Sequence, residues 1–546
     1  ESIGVGISEQ SAYLIPVSAQ IAGNNVSLQT FEMTFIPRQD SLQIRANTRI
    51  GSFGQFSGYA AAKVRIKKGF VSGFGNFRKS EGVYPYKIQN GLTTESKIRT
   101  NNDYQDQYYG GVVGYQFKNN LWVRLNYKRS KINQGLPGAV ILYNNSADER
   151  LSTGDHSASA DARFSIGKGI SARAYCNGNS NTMRYLDPTY FNSAGKVDVT
   201  YLNRNLNAGI VGHGHLIVKS KHKYNRAYYF GAEGGMSDLM SSDSLFAQPF
   251  RKQVSGILGT RLDFGLIKVR AHVSGQFVNE SNTSGPEGKN VISVNPKISI
   301  ESKESNRFYA RHRAWYRNSL RVPSFNELYY NNIGNTDLNP EKANQFGYNF
   351  SISPFDRNNK RIAITTSAYF NRITDKIVAI PTQNLFTWSI QNVGIVNALG
   401  GEVTVNTRWG FGRNKQFIVS SSMNYSFQRS VDVSDPTHPS YGHQIAYIPM
   451  HTGNIDLSLS YKNIGGKISN YLVSKRYSLN ENNLANELNG FAISDISVFY
   501  AFKLNEKQSL RIQLQAKNVF NKSYSYIRSF VMPGRNYLIS INYAFN

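Results

Sequence analysis

The sequence predicts an all-β fold, a transmembrane antiparallel β-barrel of about 22 strands with short periplasmic turns and long extracellular loops. Three observations lead there. Apolar and polar residues alternate over strand-length runs, and aromatic residues are abundant, with 34 Tyr and 31 Phe among 546 residues. No stretch reaches the ~18 to 20 consecutive apolar residues that a membrane-spanning helix requires. A mean hydropathy of −0.42 is compatible with a barrel, because only alternate side chains face lipid and the others face a polar lumen.

Along the chain, residues 1–40 read as an N-terminal segment, a plug remnant or linker, and residues 41–546 as the barrel. From Ser41 onward one unit recurs: two alternating strands, a short polar turn, then a longer polar stretch. Tyr115 and Phe117 alternate with Gln116, residues 118–120 turn, and Leu121, Val123, Leu125 and Tyr127 alternate with Trp122, Arg124 and Asn126. The same hairpin pattern is read over residues 164–175, over 297–315 with 301–306 as its connection, and over 350–370. Residues 177–192, 279–290 and 430–443, rich in Asn, Ser, Thr, Gly and Asp, are expected to be extracellular loops. A hairpin with its loop uses roughly 45 residues, so the barrel holds about 11 hairpins. At the C-terminus Tyr537, Ile539, Ile541, Tyr543 and Phe545 alternate with smaller or polar residues. This reads as the closing, lipid-facing strand and an assembly signal.

Charge and chemistry narrow the function. The net charge of +27 is dispersed: residues 1–40 hold Glu1, Glu9, Glu32 and Asp40 against Arg38, and no dense Lys/Arg run follows. Dispersed charge fits a polar lumen and contacts with anionic outer-membrane lipid, so no nucleic-acid partner is expected. The lone Cys176 excludes an internal disulfide and a cysteine-based zinc or iron–sulfur site. His213 and His215 share one face of a strand but read as polar wall residues. Asp238 and Asp243 fall short of the oxygens that calcium needs. There is no phosphate-cradling glycine loop and no nucleophile motif. The expectation is a protein that is not an enzyme, with no catalytic residues, no metal and no cofactor.

Several stretches resemble TonB-dependent receptors, particularly the branch of vitamin B12 and iron-chelate or haem receptors. The most specific begins Arg321-Val322-Pro323-Ser324-Phe325-Asn326-Glu327-Leu328-Tyr329-Tyr330 and continues through Gly334-Asn335 and Leu338-Asn339-Pro340-Glu341-Lys342. Others are Asn133-Gln134-Gly135-Leu136-Pro137-Gly138, residues 447–453, and Lys517-Asn518-Val519-Phe520-Asn521-Lys522-Ser523-Tyr524. Physically these read as barrel parts. Pro323 and Pro340 bracket a loop, Glu327 and Glu341 anchor its base, and Asn518, Asn521 and Gly534 shape the turn before the closing strand.

The resemblance implies an outer-membrane receptor of bacteria that takes up a large scarce nutrient, cobalamin or an iron chelate or haem, with energy from TonB acting through a plug. Family plugs exceed a hundred residues, whereas about 40 precede the barrel here. That contrast motivates an alternative expectation, a plugless receptor-derived barrel serving as a structural subunit beside a surface lipoprotein or other outer-membrane partners, or a passive pore. Ligand-binding residues are not legible at this level.

Overall fold

Alternation along each strand dictates which side chains meet lipid and which meet the lumen. In the strand Leu121–Leu136, Leu125 and Tyr127 stand outward, while Arg124 and Asn126 take the other face. The computed structural model describes residues 42–545 apart from 91–92, 119–120, 141–146, 167–169, 193–194, 218–224, 244–245, 286, 303–308, 331–333, 358–359, 382–387 and 413–415. The N-terminal segment 1–40 lies outside the described residues.

One sheet of 22 antiparallel strands forms the body. Each strand pairs with its neighbour in sequence, except that two short hairpins intervene, Tyr84–Asn90 with Thr93–Arg99 and Arg476–Tyr477 with Glu487–Leu488. The first strand, Leu42–Gly51, pairs with the last, Asn536–Phe545, from Ile44 opposite Phe545 to Gly51 opposite Leu538. That pairing closes the sheet and satisfies every edge, the condition for crossing a bilayer with strands.

The outer face carries exposed apolar side chains, such as Phe117, Leu258, Ile292, Leu399 and Ile539. The inner face carries polar groups, several of them buried: Asp106, Asp161, Asn207, Glu233, Ser274 and Asn371. Inner charges are paired across strands, Arg78 with Asp106 and Arg173 with Asp161. The two ends differ. Connections 67–68, 264–266, 462–463 and 504–507 are tight turns, whereas 81–103, 322–340, 433–450, 474–490 and 518–535 are long.

Several expected boundaries are corrected. Residues 177–192 are not a loop but the upper part of the strand Ile170–Asn192, paired on both sides, Asn181 with Asp155 and with Asn203. A 23-residue strand is far longer than the ~9–11 residues that span the hydrocarbon. Its upper part stands in water on both faces, so its composition imitates a loop. Residues 430–432 likewise end the strand Phe417–Asp432, and Glu301 and Ser302 end the strand Asn290–Ser302. The loop expected over 279–290 shrinks to 282–289, between Ile267–Ser281 and Asn290–Ser302.

In the closing strand Ile541, 45% exposed and opposite Thr48 and Ile512, faces lipid near mid-strand. Ile541→Arg is expected to cost about 2–4 kcal/mol, read as a lowered urea midpoint in lipid vesicles. Gln513→Arg, on the lumen face of the adjacent strand, should leave the midpoint nearly unchanged. Equal losses at the two positions would show that the inner and outer faces have been exchanged.

Candidate functional site

The long-loop end is where the barrel is most built up on its inside, and residues 321–341 form the centre of that construction. The strand Arg311–Arg321 ends at Arg321. Pro323, lacking an N–H, stops the ladder, and Ser324 takes an extended conformation as the N-cap of a five-residue helix, α1 (Phe325–Tyr329). The Ser324 hydroxyl accepts from the Glu327 N–H at 3.3 Å, and the Glu327 carboxylate accepts from the Ser324 N–H at 2.7 Å. This reciprocal capping box satisfies two amides that a one-turn helix would otherwise leave open.

Two buried side chains pin α1 to the wall on either side of its own strands. Phe325 packs with Tyr201, Leu239 and Phe246, with Tyr330 and Met183 at the margin. Leu328 packs with Leu338 and Ile377, beside Ile390. Tyr201 belongs to the strand Gly195–Ile217, Leu239 to its neighbour Asn225–Ser241, and Ile377 to Lys360–Pro381. The segment therefore leaves the wall at residue 321 and reaches inner-face residues on both sides of its own strands, which narrows the mouth.

Two arginines fix its electrostatics. Arg321 grips both oxygens of Glu327, at 3.0 and 2.9 Å, and donates to Glu341 Oε1 at 3.0 Å. Glu341 also accepts from Lys376 Nζ at 2.9 Å and from the Ile377 N–H at 2.7 Å. Arg251 donates to Glu280 at 2.8 Å and to the Pro323 carbonyl at 2.8 Å, and its guanidinium lies 4.7 Å from the Phe325 ring centroid. Tyr329 Oη donates to the other Glu280 oxygen at 2.5 Å. Each carboxylate thus meets fork-shaped, charge-assisted donors.

Gly334 is required by proximity rather than by φ. A Cβ there would lie 2.6 Å from the Tyr330 amide nitrogen, because the Gly334 N–H closes onto the Tyr330 carbonyl at 2.7 Å. Asn335 then donates from its backbone to Glu327 O at 2.8 Å and from its side chain to Ile390 O at 3.1 Å. Asn326 remains exposed on α1.

Burial pushes the Tyr330 hydroxyl up to about 12. Burial would also raise Glu327, but the Arg321 guanidinium and the Ser324 N–H outweigh it and hold the carboxyl below its ordinary value. A depressed carboxyl stabilises the fold fully above its unfolded pKa, and that contribution is lost as pH falls through the folded value. Pepsin is therefore expected to cleave within 322–340 increasingly as pH drops below about 4.5. In Glu327→Gln this pH dependence should weaken. An unchanged acid dependence in that variant would assign the effect to another group.

The other family-like stretches sit at the same end. Gly138 has φ 64, and its carbonyl accepts from Arg99, only 1% exposed. Asn518 and Asn521 take left-handed conformations, φ 47 and 52, and Asn518 Oδ1 accepts from the Lys522 N–H at 2.8 Å. The carbonyls of Ser525 and Tyr526 receive the buried Arg476. Loop cross-links of this kind, with Val140 N–H to Ser529 O at 2.7 Å and Tyr84 Oη to Val531 O at 2.9 Å, make the rim one framework. Asp238 is held by Arg204; the side chains of His213 and His215 lie outside the described ones.

The family model described as TonB dependent receptor-like, beta-barrel matches residues 68–519. The chain belongs to this family. Its barrel resides in the bacterial outer membrane, which is where members of the family are found. A vitamin B12 transporter, BtuB, from Vibrio vulnificus is 25% identical over 234 residues, which is 41% of this chain and 33% of the relative's own length. Among solved structures, the siderophore receptor PiuA from Acinetobacter baumannii aligns with a TM-score of 0.71 at 12% identity, covering 93% of this chain and 82% of that one. The FrpB iron transporter from Neisseria meningitidis aligns at 0.70 and 13%, covering 93% and 83%. The copper transporter OprC aligns at 0.70 and 12%, covering 93% and 81%. At these identities the structural likeness is one of fold.

The residues of the 321–342 motif are thus gathered around α1, whereas their partners Arg251 and Glu280 carried no local signal. Arg251 lies 72 residues from the carbonyl it holds. Only an unusual pairing of charges on two inner-face strands would have hinted at it.

Proposed function

We propose that this TonB-dependent receptor barrel serves TonB-energised import of a large scarce nutrient, with cobalamin, an iron chelate or haem as the cargo class. The observation that carries the reading is the inward-folded segment 322–340. It sets Tyr329, Tyr330 and exposed Asn326 at a narrowed mouth, a mixture of aromatic area and amide hydrogen bonding suited to an amphipathic ligand. The roles of the relatives, vitamin B12 transport and siderophore reception, are of the same kind. On this reading residues 1–40 are a plug remnant or linker, TonB is the energising partner, and Pro323 to Glu341 frame the ligand entrance.

The test is uptake of radiolabelled cyanocobalamin, a ferric catecholate and haem in receptor-deleted cells expressing the protein, with TonB present or deleted. One cargo should enter only in the TonB-containing cells. Uptake of all three that ignores TonB, or entry of none, sinks the reading.

A further inference from the structure

The outer wall carries a cationic feature that cargo import does not use. The strands Gly69–Ser80, Tyr104–Lys118 and Leu121–Leu136 are neighbours, and their odd-numbered residues face outward, as the exposure of Val71, Val113 and Leu125 shows, about half in each case. Followed along that face toward the long-loop end, the apolar band gives way to Tyr109 and Tyr127, then to Arg129, Lys131 and Lys79. Arg129 Nη1 donates to Tyr109 Oη at 3.3 Å, and Tyr127 Oη shares a hydrogen bond with His156 Nδ1 at 3.0 Å. Lipid-facing aliphatics, an aromatic girdle and then cations is the order in which a strand passes from hydrocarbon to headgroups.

No carboxylate faces these three cations across the ladder. Lys79 is flanked by Phe56 and Gln105, Arg129 by Tyr109 and His156, and Lys131 by Gln107 and Gly154. The nearest acids on this side are Glu81, exposed two residues beyond Lys79 at the rim, and Asp103, which Arg150 holds. Two strand spacings separate Lys79 from the Arg129 and Lys131 strand, roughly 10 Å. That span matches a multiply charged headgroup better than a single small anion.

We propose that Lys79, Arg129 and Lys131 form a docking site for the phosphate groups of the outer leaflet's phosphorylated glycolipid, lipid A. The cations stand at the headgroup level of the long-loop side, where the field of an anionic leaflet acts on them directly. Tyr109 and Tyr127 seat the sugar–acyl boundary below. The site rests on the outer-membrane location and is independent of the cargo.

The experiment uses the full chain, extracted from outer membranes, delipidated in detergent and offered bisphosphorylated lipid A, dephosphorylated lipid A, phosphatidylglycerol or phosphatidylcholine in mixed micelles. Retained lipid is counted by native mass spectrometry. The protein should hold bisphosphorylated lipid A and not the dephosphorylated form, a comparison that needs no variant. The triple variant Lys79→Gln, Arg129→Gln, Lys131→Gln should retain roughly tenfold to a hundredfold less. The variant Lys68→Gln, Lys503→Gln, Lys507→Gln, which removes the same charge at the short-turn end, should retain as much as the parent. Equal retention of the two lipid A forms, equal retention by the triple variant, or an equal loss in the short-turn variant would overturn the proposal. Phosphatidylglycerol held as firmly as lipid A would overturn the assignment to the glycolipid.

Discussion

Replacing Arg321 by methionine is expected to free the 322–340 segment from the wall, lowering its local opening free energy by about 3–5 kcal/mol. The side chain of Glu341 is only 1% exposed and that of Glu327 is 22% exposed, and both lose the guanidinium that offsets their desolvation. Lys376 still reaches Glu341 but not Glu327. Amide exchange at Leu328, Gly334 and Asn335, whose N–H groups bond within the segment, should accelerate about a hundredfold to a few thousandfold. Amides of the closing strand Asn536–Phe545 should keep their protection, since local opening leaves the barrel ladder intact. Adding Glu341→Gln to Arg321→Met should restore part of the loss, because a neutral amide is cheaper to bury than an unpaired carboxylate. If segment and closing strand accelerate together, Arg321 supports the whole barrel and the segment has no separate stability.

The barrel was legible in the sequence for a physical reason. Lipid on one side and water on the other impose a strict two-residue period, so the outward set at 537, 539 and 541 is visible without coordinates. Where water lies on both sides, the period disappears. That is why residues 177–192 read as a loop although they are strand, and why the upper reaches of other strands were cut short. The closing pair shows the complementary limit: the alternation at residues 537–545 identifies a strand, but its partner 44–51 lies at the other end of the chain.

The mouth was legible only in part. Pro323, Ser324 and Glu327 carry local chemistry that fixes a chain reversal and a capped turn, and they stood out as a motif. The fact that this turn is helical and folds inward depends on Tyr201, Phe246 and Ile377, which approach it from distant strands. Long-range packing of that kind leaves no periodic trace. Arg251 and Glu280 illustrate it again: each occupies an ordinary inner-face position, and only the barrel's curvature brings Pro323 and Tyr329 to them.

Phe325→Ala should cost about 3–5 kcal/mol of local stability and Leu328→Ala about 2–5 kcal/mol, yet the double variant should cost little more than the worse single. The reason lies in the helix they share. A five-residue helix has no stability of its own, since its nucleation cost is met by tertiary contacts. Phe325 holds it to the Tyr201–Leu239–Phe246 wall and Leu328 to the Leu338–Ile377 wall. Once either anchor is gone, α1 no longer presents the other correctly, so the second truncation removes contacts already weakened. Exchange rates at Gly334 and Asn335 in the two singles and the double provide the cycle. Cargo uptake should follow the same non-additive pattern if the segment shapes the entrance as one unit. Strict additivity in both readouts would instead make the two walls independent anchors, and then the segment could release from one side while remaining seated on the other.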